Sequence, residues 1–413
     1  SGMSDTFRWP GATPLPEAPH ARSIFLRRLV ATLIAAWTLV LPARGEEPAP
    51  NSAPPADAPG SLIVYCSADS VYFQPVLEAF TRETGIKVRP VFDTEATKTF
   101  GLVQRLINEQ GDAAIADVFV SSEVLGMIRL SKAGLLEPYI SQPAEEAFSK
   151  RGGYPRMMKA HDRTWTGFAR RARVLVYNTK FVAKDDAPLR LAQLADPKWK
   201  GRVAMARPQF GTTRSQLAAL HMISPSADDP TSGFSRWLDG LFANNVRLYD
   251  GNSSVVRAVA SGEAYVGLTD NDDVHAGWAN GWPIGMLRIS SQIEDITHDR
   301  GPSHDPNAGT LLNFPESALQ TFHTVGILKS SKRQTQARRF VDFVLSKQAD
   351  QILSSGDAKT YTSYHPMLLD PLAGLDARMK APDLYFMDID YEEIARHADA
   401  ALKMFEEREK KAR

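Results

Sequence analysis

A single cysteine, Cys66, in a chain of 413 residues has no partner for an internal disulfide and matches none of the cysteine-based metal motifs. It lies in LIVYCS, where a thiol acts as a small buried hydrophobe at a strand end. There is no excess charge of either sign: Lys plus Arg and Asp plus Glu stand at 48 each, so nothing draws in nucleic acid or another polyanion. Catalytic patterns are missing as well. The chain has no Gly-x-Ser-x-Gly elbow, no His-Glu-x-x-His, no Gly-Lys-Ser/Thr phosphate loop and no dinucleotide glycine fingerprint. No enzymatic role is expected.

Long apolar runs are scarce. The one that stands out, Leu29 to Leu41 in RSIFLRRLVATLIAAWTLVLPARG, is short for a membrane span, which needs about 20 apolar residues. Arg22, Arg27 and Arg28 precede it and Ala43-Arg44-Gly45 follows, the layout of a secretory signal peptide. Ser1-Gly2 ahead of Met3 reads as a cloning scar, so residues 1–45 stand apart from the fold. Residues 46–60, EEPAPNSAPPADAPG, read as an extended Pro/Ala linker. The folded protein is expected from Ser61 onward, secreted across the inner membrane into the periplasm, or tethered to that membrane if the signal is not cleaved.

From there the pattern alternates. SLIVYCS reads as a buried strand, followed by a helix with Phe73, Val76, Leu77 and Phe80 on one face and a stop at Gly85. IKVRPVF resumes as a strand, although Pro90 argues against a central place in a sheet. A helix burying Leu102, Val103, Leu106 and Ile107 comes next, then the strand ADVFVSSE. Strand alternating with helix predicts an α/β fold with mainly parallel sheets. The pattern recurs through RARVLVYNT, GRVAMARP, QFGTTRSQLAALHMI and DGNSSVVRAVASGEAYVGLTDNDDV, so two α/β lobes are expected to face one another. A charged amphipathic helix, YEEIARHADAALKMFEEREKK, follows near the end, its charge read as a solvated face.

Ligands of such sheets bind at the carboxyl ends of strands, where helix N-termini present N–H groups that favour anions. The small polar residues at those ends are therefore candidate ligand-binding residues: Ser67, Asp69 and Ser70; Thr94 and Glu95; Ser121 and Ser122; Thr212 and Thr213; Asn252, Ser253 and Ser254. Each is also an ordinary helix cap when taken alone. Arg170, Arg171, Arg173 and Arg214 are candidates for gripping an anion, Arg171 and Arg214 foremost, and alternation along a strand is expected to turn only one of the ARRAR arginines inward. The apolar run Tyr265–Leu268 ends in Asp270, Asn271, Asp272 and Asp273, a loop that would face a cationic group and cap the next helix. Acid–base chemistry by Asp272 and Asp273 would need a turn that re-aims two adjacent side chains. His298 and His304 with Asp295, Asp299 and Asp305 sit in a loop-rich stretch and read as solvated rather than metal-binding.

Several blocks taken together, IVYCSADSVYFQPVLEAFTRETGIKVRPVF, ADVFVSSE, GFARRARVLVYNT, NSSVVRAVASGEAYVGLTDNDD and KRQTQARRFVDFVLS, resemble the extracellular solute-binding proteins of ABC importers, and more narrowly the ferric-ion-binding branch. The resemblance spans roughly 61 to 365 in the same order. It implies a two-lobed type II periplasmic-binding-protein fold with a hinge of crossing strands, one at GFARRARVLVYN and another near 280–290. Lobe I would comprise 61–165 and 285–335, lobe II 166–284 and 336–365, and 366–413 a helical extension. The ferric members hold iron with paired tyrosines in the loop matching Asp270–Asp273, and here that loop has none. Glu123, Asp272 and Asp273 are the hard oxygen ligands that remain for Fe(III) or another metal ion. The expected function is capture of a small anionic or zwitterionic solute of phosphonate or phosphate-ester type, without a cofactor, by a monomer that delivers it to a membrane permease. A ferric-iron or chelated-metal binder is the alternative, and a ligand-sensing module of a signalling receptor is another.

Overall fold

The computed structural model describes residues 60–93, 100–109, 114–209, 211–224, 226–288, 319–355, 361–362 and 390–412. The signal segment, most of the linker, Thr94, Glu95, the His298–His304 stretch and 366–389 lie outside the described residues. The chain begins with β1 (Leu62–Cys66), α1 (Ser70–Thr84), β2 (Val88–Phe92), α2 (Phe100–Asn108), β3 (Val118–Ser121), α3 (Val124–Lys132), β4 (Leu136–Glu137) and α4 (Gln142–Ala147). After β5 (Thr166–Asn178) come β6 (Val203–Ala206), α5 (Gly211–Ile223), α6 (Gly233–Ala243) and β7 (Arg247–Tyr249). Then follow α7 (Asn252–Ser261), β8 (Val266–Asp270), α8 (Asn271–Ala279) and β9 (Ile284–Arg288). The remaining elements are β10 (Gln320–Leu328), α9 (Gln334–Val344), α10 (Lys347–Ser355), β11 (Tyr361–Thr362) and α11 (Tyr391–Ala412).

The strands form one path in the order β2-β1-β3-β10-β5-β8-β6-β7. β1 lies parallel to β2 and β3, and β6 parallel to β7 and β8. β5 joins the two groups. Its first part pairs antiparallel with β10, its second part with β8 and β9. A first half of the fold is thus built on β1–β3 and a second half on β6–β8, with one 13-residue strand belonging to both.

The local reasons are plain. Every residue of β1 is buried, as a parallel strand covered on both faces requires, and each large apolar side chain there contributes about 1.5–3 kcal/mol. α1 buries Phe73, Val76, Leu77 and Phe80 and ends at Gly85, whose φ of 71° a side chain would strain. Pro90 is tolerated because β2 ends the strand order and has β1 as its partner.

Two boundaries expected from the sequence are corrected by the packing. β9 pairs with Val174–Asn178, so 285–288 belong to the second half rather than the first. α9 and α10 were expected on lobe II, yet Ala337, Phe340, Val341, Val344 and Leu353 sit in the core of the first half. Phe340 meets Phe80 of α1 edge to face at 5.1 Å, a pairing worth about 0.5–1.5 kcal/mol beyond its buried area. The reason is chain direction: β10 pairs with β3 at the first half's centre, and α9 follows it with only a short turn between. The helical extension is not simply solvated. Tyr391, Ile394, Ala398, Ala401 and Phe405 form one buried stripe at helical spacing, the first three in the first core and the last two in the second.

Candidate functional site

Five helices, α1, α3, α5, α7 and α8, start at strand ends that face one another across the junction of the two halves. Close packing sets two of them. A Cβ on Gly267 of β8 would stand 2.6 Å from Val255 Cγ1, so only glycine lets α7 lie this near the strand. That approach brings Asn252, the first residue of α7, to Asp270, the last of β8.

Asp270 is fully buried at the centre of the junction. Arg173 Nη1 donates to its Oδ1 at 2.9 Å; Thr212 Oγ1 and Asn252 Nδ2 donate to Oδ2 at 2.8 and 3.0 Å. Arg171 Nη1 stands 3.2 Å from Oδ2. Burial alone would raise the Asp270 carboxyl, but Arg171 and Arg173 outweigh it and hold the group below the usual carboxylate range. Arg173, 1% exposed, is equally committed: it also donates to Asn252 Oδ1 at 3.1 Å, Thr212 Oγ1 at 3.2 Å, Gln216 Oε1 at 3.1 Å and Thr213 Oγ1 at 3.4 Å. Alternation places two of the ARRAR arginines together, not one. Arg171 and Arg173, two apart on β5, share this side, and Arg170 points to the other.

Arg171 reaches both halves. Its Nη2 donates to Ser122 O at the start of α3, and its Nη1 approaches Asp272 Oδ2 at 3.4 Å. Burial works against its charge, yet Asp272 and Asp270 raise its affinity for the proton beyond that of a free guanidinium. Asp272 and Asp273 occupy the first turn of α8, where the helix N-terminus favours anionic side chains. Ser253 Oγ donates to Asp273 Oδ1 at 2.7 Å. Asp270, Asp272 and Asp273 each offer one oxygen within 4.8 Å of the others, the one acidic group among the described residues with this geometry.

Two cavities adjoin this cluster. One, of about 60 Å³, is lined by Asp69, Ser122, Arg171, Thr212, Thr213, Asn252, Ser253 and Asp273 among others. The second, of about 140 Å³, lies between Asp69, Tyr72, Asp272, Asp273 and Trp282. Asp69, Gly251 and Asp270 stand at the N-cap positions of α1, α7 and α8 without a side-chain cap bond, so those helix starts present backbone N–H groups toward the junction. Asp270 therefore does not cap α8 as the sequence led one to expect. It serves Arg173 instead.

The structure thus brings together Ser122, Asp69, Arg171, Thr212, Thr213, Asn252, Ser253, Asp270, Asp272 and Asp273. Ser67 supports them from behind, its Oγ accepting from Ser122 N at 2.9 Å. Other expected residues fall elsewhere. Ser121 is sealed in the core and accepts from Glu123 N at 3.3 Å; Ser70 is exposed; Ser254 accepts from Arg257 of its own helix at 2.8 Å. Arg214 turns away to Gln209 O at 2.8 Å and Asp399 of α11 at 2.5 Å. Glu123, expected as a metal ligand, is the N-cap of α3, accepting from Leu125 N at 2.6 Å and Gly126 N at 2.7 Å. Burial pushes its carboxyl above the ordinary range despite those two bonds. Asn271 was not singled out from the sequence; fully buried, its Oδ1 accepts from Ala172 N at 2.8 Å and locks the acidic turn to β5. An amide between carboxylates gave no signal of that role.

Comparison with known proteins gives the chain a family. Residues 62–356 match the family model described as "Bacterial extracellular solute-binding protein". The chain is 30% identical over 319 residues to the major ferric iron-binding protein of Neisseria meningitidis serogroup B, covering 76% of this chain and 86% of that protein. It is 29% identical over 345 residues to iron uptake protein A1 of Synechocystis, covering 82% and 85%. The crystal structure of iron-bound HitA from Pseudomonas aeruginosa superposes with a TM-score of 0.64 at 25% identity, covering 85% of this chain and 99% of that one. These relatives are named for binding and uptake, not for catalysis.

Proposed function

The chain belongs to the bacterial extracellular solute-binding protein family, the ligand-capturing components of ABC importers, and we propose that its cargo is ferric iron held together with a small oxyanion. The observation that carries this reading is the carboxylate cluster at the junction of the two halves. Carboxylates are hard oxygen donors, suited to Fe(III). Asp270 is committed to two arginines, so Asp272 and Asp273 of α8 and Asp69 of α1, which line one cavity, are the candidate ligands. The N-terminal N–H groups of α7 and the hydroxyl of Thr213, which lines the same cavity, suit an accompanying anion. Arg171 balances the charge between them.

Two points favour iron over the phosphonate or phosphate-ester solute expected first from the sequence. Relatives at 28–30% identity are named for ferric iron, whereas one named for phosphoglycerate transport is 25% identical. The cavity beside the cluster, about 60 Å³, is small beside the ~300–1,000 Å³ sites that hold organic ligands. The acidic loop offers no tyrosine, where the resemblance to the ferric binders implies a pair. Iron bound here would lack the strong visible absorption of a tyrosinate–iron bond unless Tyr72 joins it. The protein would act outside the cytoplasm as a monomer and hand its cargo to a membrane permease. No helix among the described residues is long and apolar enough to cross a membrane.

Native mass spectrometry of the protein mixed with ferric citrate tests this reading. A single iron adduct is expected, lost in the Asp272→Asn/Asp273→Asn variant. An adduct with an organophosphonate and none with iron would reverse it.

A further inference from the structure

We propose that α11 is a strap holding the two halves of the molecule together, and that the His221–His397 pair is its acid-sensitive fastening. The proposal concerns separation of the halves and holds whatever the cargo. The buried face of α11 is shared between both cores, as is that of α5, against which it lies. At its start, Tyr391 donates to Gln320 O on β10 and packs on Phe322, and Glu392 accepts from His161 N at 3.1 Å. At its far end, Phe405 meets Phe242 of α6 edge to face at 5.0 Å. Ion pairs bind it to the second half: Asp399 with Arg214 at 2.5 Å, Arg408 with Asp239 at 2.7 Å, and Glu409 with Arg207. Any motion that parts α3 from α5 must strip α11 from one core or the other. The strap therefore resists opening.

The fastening follows from ring chemistry. His221 of α5 places Nε2 at 3.2 Å from Asp228 Oδ1 and Nδ1 at 2.9 Å from His397 Nδ1. The carboxylate requires a proton on His221 Nε2, which leaves a lone pair on its Nδ1. His397 must then donate from Nδ1. Its own Nε2 faces Glu393 Oε1 at 3.7 Å. A further proton on His221 sets two N–H groups against each other and drives α5 and α11 apart. The other groups that meet the pair are Phe234 of α6, edge to face with His221 at 5.4 Å, and Arg396, which pairs with Glu393 at 2.5 Å. The carboxylates that meet the pair, Asp228 and Glu393, each face the Nε2 remote from the ring-to-ring contact, so neither relieves the clash of two Nδ1–H groups. Acid should unfasten the strap.

Hydrogen exchange of the full chain, corrected for intrinsic rates, tests both parts at about pH 7.5 and about pH 5.5. Protection of 391–412 is expected to fall about tenfold on acidification in the wild type and to stay level in His221→Gln/His397→Gln. Equal falls in both proteins, or none in the wild type, would overturn the fastening. The surface variant Asp239→Ala/Asp399→Ala, which removes only exposed carboxylates of these ion pairs, is expected to enlarge the radius of gyration in solution scattering. An unchanged scattering profile in that variant would overturn the strap.

Discussion

Asp270 and Asp272 are two residues apart and have opposite employment. Asp270 closes β8 with Arg173, Thr212, Asn252 and Arg171 around it, and nothing of it faces solvent. Asp272 sits one step into α8, borders a cavity and shares Arg171 with its neighbour. The contrast shows that charge at a strand end divides into a part that builds the site and a part that the site presents. Bonding, not residue type, assigns the parts.

Removing the builder is expected to do the most damage. Asp270→Ala leaves two buried guanidinium groups short of their partner and should cost about 3–5 kcal/mol in denaturant unfolding. Loss of iron binding without loss of stability in that variant would erase the distinction. The same contrast appears in pH. Because the folded Asp270 carboxyl lies below its unfolded value, its contribution is complete above the ordinary carboxylate range and vanishes as pH falls through the lower folded value. Asp270→Asn should therefore flatten the acid limb of the stability curve.

Removing the presenters should reverse the pattern. Asp272→Asn/Asp273→Asn is expected to lower ferric affinity about 100-fold, near 2.7 kcal/mol, while the melting temperature barely moves. Titration calorimetry with ferric citrate reads the first and thermal unfolding the second. Glu123→Ala should cost about 1 kcal/mol through the lost cap of α3, with ferric affinity unchanged. A large affinity loss there would return Glu123 to the ligands. The smallest effect is expected on the far side of β5. Burial lowers the Arg170 guanidinium to about 10, so its charge is disfavoured in the folded protein, and Arg170→Met should be neutral or stabilising by about 1 kcal/mol. Marked destabilisation would mean that Arg170 is also a builder.

The α/β order and the strand ends that carry the site were legible in the sequence, because buried parallel strands are written as unbroken apolar runs and their helices as spaced ones. Asp69, Arg171, Asn252, Asp270, Asp272 and Asp273 were named from the sequence, and the fold gathers them at one junction. The division of labour among them was not legible. Asp270 and Arg173 are 97 residues apart, and only the antiparallel register of β5 on β8 sets them face to face. Glu123 was a candidate ligand through the resemblance to the ferric binders alone, and its two backbone bonds make it the cap of α3. The stripe on α11 was visible, but periodicity says that a face is covered and not by what. Both cores cover it.

Trp282 borders the same cavity as Asp69, Asp272 and Asp273. The protein therefore carries its own fluorophore beside the acidic turn, and a paramagnetic ion arriving there should dim its emission in proportion to loading. Arrival and departure of cargo could be timed in stopped flow without a dye, and emission indifferent to ferric ion would place the load elsewhere.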